Sequence, residues 1–321
     1  MNALTGTLGD YLQLSKPRII VLLLVTTLAA MVMAARGLPP LALVFWTLLA
    51  GALAAGSAGA FNCAYDADID KIMKRTAERP IPCGRISVRA ACIYASVIGA
   101  ASFGIFFFLV NPLAAWLSLA GNVYYVLIYT MWLKRTTPLN IVIGGAAGAV
   151  PPLVGWAAVT HSMGAPALGL FALIFLWTPP HFWSLALNRS GEYALGGIPM
   201  LPVVAGSIET RRQILMYSVI LVPISLLPWA LGFAGTIYGA VAGIAGATMI
   251  LLAWQLRTNG ESRPARRLFV FSIFYLFVLF TALLVDAALI RGQSACVACP
   301  VALQNVAGIC PNVLGPDRAA L

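Results

Sequence analysis

Charged side chains are scarce in this chain. Asp, Glu, Lys and Arg make up 9% of its 321 residues, only ten residues are acidic, and there are two histidines. Hydrophobic residues account for 61% and the mean hydropathy is +0.91. A soluble domain of this length carries far more charge on its surface, so the composition excludes one. It predicts an all-α polytopic membrane protein.

Apolar runs long enough to cross a bilayer as helices, about 20 residues each, recur along the chain. Nine spans are predicted, at 18–36, 41–61, 89–110, 113–133, 139–160, 166–187, 213–233, 235–256 and 268–290. No linker or low-complexity tract separates them, and residues 1–17 do not resemble a cleavable signal peptide. We therefore predict one membrane domain over 1–290 and a short extracytoplasmic tail over 291–321.

The net charge of +10 is distributed unevenly. Seventeen of the 20 Lys and Arg residues fall at the N-terminus or in the loops after the second, fourth, sixth and eighth spans. The positive-inside rule then places the N-terminus in the cytoplasm and, with nine spans, the C-terminus outside. The basic excess is explained by topology, so lipid is the expected environment and no nucleic acid partner is expected.

The six cysteines form two groups. Cys63, Cys83 and Cys92 lie toward the cytoplasmic side and are expected to be reduced. Cys296, Cys299 and Cys310 are the tail cysteines, on the side that is oxidising in a bacterium. A disulfide among them, or no role, is the favoured interpretation; a redox or metal-binding pair of Cys296 and Cys299 is the alternative.

A cluster of charged residues follows directly after the second span. Three acidic residues fall between positions 66 and 70, and Asn62, Asp66 and Asp70 are each four residues apart. On a helix this spacing places all three on one face. Amide and carboxylate oxygens suit Mg²⁺, which often also holds a substrate phosphate. The alternative is a solvated helix end, which is the favoured interpretation for Asp68 because that residue points away from Asp66.

Basic residues accompany this acidic face. Lys74, Arg75 and Arg79 follow it directly, and Lys134 and Arg135 lie after the fourth span. The alternative explanation for each of these basic residues is the positive-inside rule alone, with the side chain anchoring a helix end at the membrane surface. Their grouping, with Arg as a bidentate ligand and Lys as a point charge, favours binding of a phosphate anion.

Within the fifth span, residues 144–156 are rich in Gly and Ala and include Pro151 and Pro152. Small residues permit close packing of helices in a membrane. They also leave room for a bulky flat ligand, and the two interpretations are compatible.

The sixth span contains the string Trp177-Thr-Pro-Pro-His-Phe-Trp183. The double proline is expected to break the helical hydrogen-bond ladder and free carbonyl groups. His181 is an ionisable residue inside a membrane span, which makes it a functional candidate, with a purely structural histidine as the alternative. His161 lies in an outer loop and is expected to be incidental.

Two long loops, 62–88 and 188–212, follow the second and sixth spans and end in proline-containing segments. Loops of this length in a compact bundle are usually functional. We interpret them as two halves of one site that face each other. Carboxylates, cations and an aromatic wall together predict a cavity, open to the cytoplasm, for a lipid-tailed diphosphate that loses its diphosphate group.

The spacing Asn62-x3-Asp66-x3-Asp70 resembles the first aspartate motif of the UbiA-type intramembrane prenyltransferases, a family with nine helices. Residues 15–18, 62–87, 133–156 and 177–202 are similar to its haem-modifying branch, and the resemblance extends over 10–290. It implies a UbiA-type bundle that joins the farnesyl group of farnesyl diphosphate to a vinyl group of haem B. Water is added in the same reaction, and the product, haem O, serves terminal oxidases.

The resemblance also implies roles for particular residues. His181 and Asn188 stand where the wider family has its second group of aspartates, and Glu192 stands where the haem branch commonly has Asp. The implied catalytic residues are Asp66, Asp70, Asn62 and His181. The implied Mg²⁺ ligands are Asn62, Asp66, Asp70 and Glu192. The implied diphosphate ligands are Lys74, Arg75, Arg79, Lys134 and Arg135. The implied haem pocket is His181, Trp177, Trp183 and Tyr193, with His181 either ligating iron or orienting water.

Further expectations follow from the same resemblance. The protein would lie in a bacterial inner membrane and pass haem to haem A synthase or to terminal oxidase assembly. The alternatives are a related prenyltransferase acting on a quinone precursor or chlorin, a transporter, and a haem carrier without catalytic activity. A transporter needs charge near the membrane centre, whereas here the charges gather at one face and only Asp286 lies toward the other.

Overall fold

The protein is described by a computed structural model that covers residues 7–259 and 262–297, with the side chains of 262 and 290–297 excepted. Within these residues the chain is helical and forms no strand, and nine helices are long and apolar enough to cross a membrane. The predicted all-α fold with nine spans is therefore confirmed.

The described chain forms thirteen helices. They are α1 Leu8–Leu14, α2 Pro17–Ala35, α3 Leu41–Tyr65, α4 Ala67–Ile72, α5 Val88–Val110, α6 Pro112–Thr136, α7 Asn140–Thr160, α8 Ala165–Leu187, α9 Ser190–Leu195, α10 Leu201–Val204, α11 Gly206–Ala230, α12 Thr236–Asn259 and α13 Ser262–Val297. The spanning helices are α2, α3, α5, α6, α7, α8, α11, α12 and α13.

The predicted start of the seventh span is wrong. The seventh span was predicted from residue 213, but α11 begins at Gly206, whose φ of 77° is a conformation that glycine adopts readily. Its first turns are polar and are held by hydrogen bonds such as that from Gln213 Nε2 to Glu209 Oε1 at 2.7 Å. A hydropathy pattern detects only the apolar part of such a helix, so the loop 188–212 is shorter than predicted.

Two helices, α2 and α8, make many of the helix–helix contacts in the bundle. Helix α2 packs on α3, α7 and α13, and α8 packs on α7, α11 and α13. One core cluster joins buried side chains of α2, α7, α8, α11, α12 and α13, while a separate cluster joins α1, α3 and α5. The end of α3 contributes Cys63 and Ala64 to the second cluster, and Ile69 after it belongs to the first, so the acidic residues lie in the segment that joins the two clusters.

The two long loops pack against each other at one end of the bundle. Ile69 and Met73, after α3, share a core cluster with Ile198 and Met200, after α8. A Cβ atom on Gly196 would lie 3.2 Å from Ile69 Cγ2, so the approach is close. The predicted pairing of the two loops is present in the fold, and we call this end of the bundle the site end.

The double proline does not interrupt α8. The helix is continuous from Ala165 to Leu187 with Pro179 and Pro180 inside it. Proline has no N–H, so the carbonyls one turn earlier, on Phe175 and Leu176, lose their usual donors. The predicted break is thus a local loss of hydrogen bonds within a continuous helix.

Helix α13 extends to Val297, past the predicted domain boundary at residue 290. Cys63, Cys83 and Cys92 are free thiols. The side chains of Cys296, Cys299 and Cys310 lie outside the described residues, so the pairing of the tail cysteines stays a prediction.

Candidate active site

Asn62, Asp66 and Asp70 form the centre of the site end. The helix is interrupted at Asp66, which ends α3 and precedes α4, yet the i to i+4 hydrogen bonds continue across it. Asp66 N donates to Asn62 O at 2.9 Å, and Asp70 N donates to Asp66 O at 2.8 Å. The three side chains keep the predicted common face, and all three are buried.

Each of these side chains contacts a cation from a different part of the chain. Arg79 Nη1 lies 2.7 Å from Asp70 Oδ2, and Lys134 Nζ donates to Asp66 Oδ2. Lys16 Nζ donates to Asn62 Oδ1 at 2.5 Å. Buried carboxylates require such partners because isolated charges are costly to bury. Three cations from three segments therefore converge on one acidic face.

The amide of Asn62 links the acidic residues to α6. Its Nδ2 donates to Asp66 Oδ2 at 2.7 Å and to Thr130 Oγ1 at 3.1 Å. Thr130 belongs to a π-helical stretch, Tyr124–Leu133, and π-helical turns are frequent at functional sites. This stretch leads directly into Lys134, so the irregular winding of α6 positions both groups on the acidic face.

One carboxylate oxygen in the site has no hydrogen-bond partner among the described residues. Asp66 Oδ1 is buried and has no hydrogen-bond partner, and Arg135 Nη2 is 3.8 Å away. A buried acceptor left without a donor is rare in native proteins. Together with the oxygens of Asp70 and Asn62 it makes a set of hard ligands, which fits a divalent cation such as Mg²⁺.

Asp68 and Arg135 pair beside this centre. Arg135 donates from Nη1 and Nη2 to the two carboxylate oxygens of Asp68, both at 2.8 Å, and lies over the Tyr65 ring at 4.6 Å. The hydrogen bonds from Arg135 lower the pKa of the Asp68 carboxyl below its usual value. The Asp68 side chain is 63% exposed, in agreement with the interpretation that it lies off the acidic face.

The remaining predicted ligands lie around the packed loops. Lys74 and Arg75 are exposed, and Glu192 Oε1 is 3.7 Å from Arg189 Nη1. Burial raises the pKa of Tyr193, while the charges of Arg75 and Arg189 act in the opposite direction. Among the described residues no three His, Cys, Asp or Glu side chains are placed to hold one metal ion, so Glu192 does not join the two aspartates in one cluster.

The predicted haem pocket is divided between two faces of α8. His181 and Trp177 face α13, where their rings stack at a centroid distance of 4.3 Å and Trp177 Nε1 donates to Ser272 O at 2.8 Å. Trp183 faces α11 instead, with its ring 5.5 Å from that of Tyr217, and it is buried. The structure therefore groups His181 with Trp177 but not with Trp183.

Lys16 is the residue of the site that sequence reasoning missed. It precedes Pro17, the first residue of α2, and adopts a left-handed conformation with φ of 56°. Proline disfavours the right-handed helical region for the residue before it, so α2 must begin after Lys16. Burial lowers the pKa of the Lys16 ammonium, while the Asp66 and Asp70 carboxylates act in the opposite direction. The signal available in the sequence was a Lys-Pro pair at the entry to the first span.

Solved structures share this fold. A digeranylgeranylglyceryl phosphate synthase superposes with a TM-score of 0.73 at 18% identity, covering 87% of this chain and 98% of its own. A UbiA homologue from Archaeoglobus fulgidus, bound to GPP and Mg²⁺, gives 0.62 at 17% identity, covering 86% and 99%. The fold is that of the intramembrane prenyltransferases.

Sequence comparison defines the family. The UbiA prenyltransferase family matches residues 23–284. A protein from Gloeobacter violaceus named protoheme IX farnesyltransferase is 51% identical over 285 residues, 88% of this chain and 93% of its own. One of the same name from Chloroflexus aurantiacus is 50% identical over 282 residues, and there the match spans 88% of this chain but 48% of the relative. The chain belongs to the UbiA prenyltransferase family, as its first aspartate motif predicted.

Proposed function

We propose that this chain transfers the farnesyl group of farnesyl diphosphate to a vinyl group of haem B, with addition of water, to form haem O. The bond between farnesyl carbon and diphosphate oxygen breaks, a carbon–carbon bond to the vinyl group forms, and water supplies a hydroxyl group while one proton is released. The choice of acceptor rests on one observation, the 51% identity to a protoheme IX farnesyltransferase of which 93% is matched.

The acidic face supports binding of the diphosphate. Asp66, Asp70 and Asn62 would hold Mg²⁺, which supplies Lewis-acid withdrawal of charge from the leaving group. Arg79 and Lys134 already contact the two carboxylates, so both cations lie within reach of diphosphate oxygens bound there. They stabilise the negative charge that develops as the allylic carbon–oxygen bond breaks.

Arg135 of α6 and residues of the packed loops are assigned to the rim of the same site. Arg135 would either break its ion pair with Asp68 or keep it while it also contacts an outer diphosphate oxygen. Lys74 and Arg75 would neutralise charge from the solvent side. Glu192 is proposed as a further metal ligand, which requires the second loop to close toward Asp70. The neighbouring Tyr193 would then bound the acceptor pocket.

The cellular setting is part of the proposal. The protein is a multi-pass membrane protein, and we place it in a bacterial inner membrane with the N-terminus and the site end in the cytoplasm. Residues 1–290 would form the catalytic domain and 291–321 an extracytoplasmic tail. The product would pass to haem A synthase or to a terminal oxidase.

The proposed activity is tested by extraction of pigments. The chain is expressed in cells that lack their own haem O synthase, and the haems are separated by chromatography and identified by mass. A new, more hydrophobic haem with the mass of haem O is expected, and it should be missing from cells that express the Asp66→Ala variant. Haem B alone, with protein correctly inserted in the membrane, would refute the acceptor and direct the test to quinone precursors and chlorins.

Replacing Lys16 by Met is expected to weaken use of the prenyl diphosphate. Lys16 Nζ donates to the neutral amide oxygen of Asn62. A hydrogen bond from a charged group contributes about 1.5–3 kcal/mol, and about 2 kcal/mol is roughly 30-fold in kcat/KM. The measurement is kcat/KM for farnesyl diphosphate in purified protein. Arg18→Gln is the matched control, because Arg18 is an exposed cation two residues away. Equal kcat/KM in both variants would show that Lys16 does not contribute to the use of farnesyl diphosphate.

A further inference from the structure

The imidazole of His181 is held between two aromatic rings. Trp177 stacks on one side at a centroid distance of 4.3 Å and an angle of 17°, and Phe269 of α13 stacks at 4.8 Å and 25°. Phe182 adds an edge contact at 5.1 Å. Because both faces of the imidazole are stacked on other rings, only the edge of the ring can make polar contacts. The side chain still exposes part of its surface.

One edge of the ring is bound to Ser272, a fully buried residue of α13. His181 Nδ1 and Ser272 Oγ are 2.7 Å apart, and Ser272 Oγ is also 2.7 Å from the Phe269 carbonyl oxygen. A carbonyl oxygen can only accept a hydrogen bond, and a serine hydroxyl has a single proton to donate. That proton goes to Phe269 O, so Ser272 Oγ must accept a hydrogen bond from Nδ1–H of His181.

This arrangement decides which imidazole nitrogen carries the proton. A neutral histidine protonated at Nδ1 has its lone pair on Nε2. No described residue forms a hydrogen bond with Nε2. Nε2 therefore carries a free lone pair in the plane of a ring that is stacked on Trp177 and Phe269 and hydrogen-bonded to Ser272.

We propose that Ser272 is a positioning residue that fixes His181 in the Nδ1–H tautomer, so that Nε2 ligates the iron of the acceptor haem. This inference rests on the proposed function for the identity of the acceptor. A bond to iron forms along the Nε2 lone pair in the plane of the ring, and the rings of Trp177 and Phe269 stack on its faces and not in that plane. A hydrogen bond at the second nitrogen is the usual way in which a metal-bound histidine is oriented and made more basic.

The test is a titration of the purified full-length protein with haem B, followed by absorbance of the Soret band and by electron paramagnetic resonance of the ferric complex. Wild-type protein is expected to show an axial nitrogen ligand that His181→Ala lacks. Ser272→Ala is expected to weaken haem binding about 10-fold, the lower range for loss of such a hydrogen bond. Ser272→Thr, which keeps the hydroxyl, should restore most of the affinity.

A matched control lies on the same helix. Thr281 Oγ1 donates to the Phe277 carbonyl at 2.8 Å, so Thr281→Ala removes a comparable hydroxyl that has no ring partner. It should bind haem as the wild type does. The contact between Trp177 and the Ser272 carbonyl involves the backbone and survives in Ser272→Ala, so the α8–α13 interface is kept.

The outcomes separate the two proposals. Ser272→Ala should raise KM for haem with little change in kcat, because iron ligation is the same in the ground and transition states. Unchanged affinity and spectra in Ser272→Ala, or a nitrogen ligand retained in His181→Ala, would overturn the inference. Haem bound through His181 by a wild-type protein that forms no haem O would refute the proposed transferase while leaving the role of Ser272 intact.

Discussion

Asp66→Asn is expected to reduce farnesyl transfer by roughly 10³-fold. The substitution keeps the size of the side chain but removes the negative charge whose unpaired oxygen fits a divalent cation. Loss of Lewis-acid stabilisation costs several kcal/mol, and about 4 kcal/mol corresponds to this factor in rate. The measurement is kcat for haem O formation in purified protein over a range of Mg²⁺ concentrations, where the variant should also need more Mg²⁺.

Asp68→Asn is the control for this prediction. Asp68 is two residues away, carries the same charge and pairs with Arg135, but its side chain is 63% exposed and lies off the acidic face. We expect kcat within a few-fold of the wild type. If Asp68→Asn and Asp66→Asn lose the same activity, the effect comes from the local charge of the loop and the metal assignment is wrong.

The acidic face could be predicted from the sequence because its geometry is local. Residues four apart share a helical face whatever surrounds them, and the helical hydrogen bonds continue even where Asp66 separates α3 from α4. The nine spans could be predicted for a similar reason, since each must be apolar over a length fixed by the bilayer.

The sequence predicted Arg79 and Lys134 among the cations of the site, but not Lys16 and not which cation contacts which residue. Lys16 and Lys134 are brought to Asn62 and Asp66 by packing of α2, α3 and α6, which no local pattern encodes. The face of α8 that a residue occupies also depends on its neighbours. Trp177 and Trp183 belong to the same string, yet one packs on α13 and the other on α11.

The small residues of α7 illustrate a pattern whose meaning depends on position. The sequence left close packing and room for a ligand both open. At Gly155 an added Cβ would lie 2.3 Å from the Thr27 carbonyl oxygen of α2, whereas at Gly148 no atom lies within 4 Å. One helix thus contains a glycine required for packing and another beside open space, and composition alone could not distinguish them.

Gly155→Ala is therefore expected to destabilise the bundle strongly. The obstructing atoms belong to the backbone of α2, so no side-chain rotation relieves the contact and the two helices must move apart. Overpacking in a close-packed interior costs about 1–3 kcal/mol, and a backbone contact belongs at the upper end. We expect Tm in detergent to fall by roughly 5–10 °C, with a smaller yield of monodisperse protein.

Gly148→Ala provides the comparison within the same helix. It adds the same methyl group in open space, and replacing a helical glycine by alanine contributes up to about 1 kcal/mol, so Tm should be unchanged or slightly higher. Equal losses of stability in both variants would mean that α7 tolerates no added volume anywhere and would contradict a specific contact at Thr27. Because Lys16 directly precedes α2, a separation of α2 from α7 should displace that cation, and Gly155→Ala protein that remains folded should use farnesyl diphosphate less efficiently than Gly148→Ala protein.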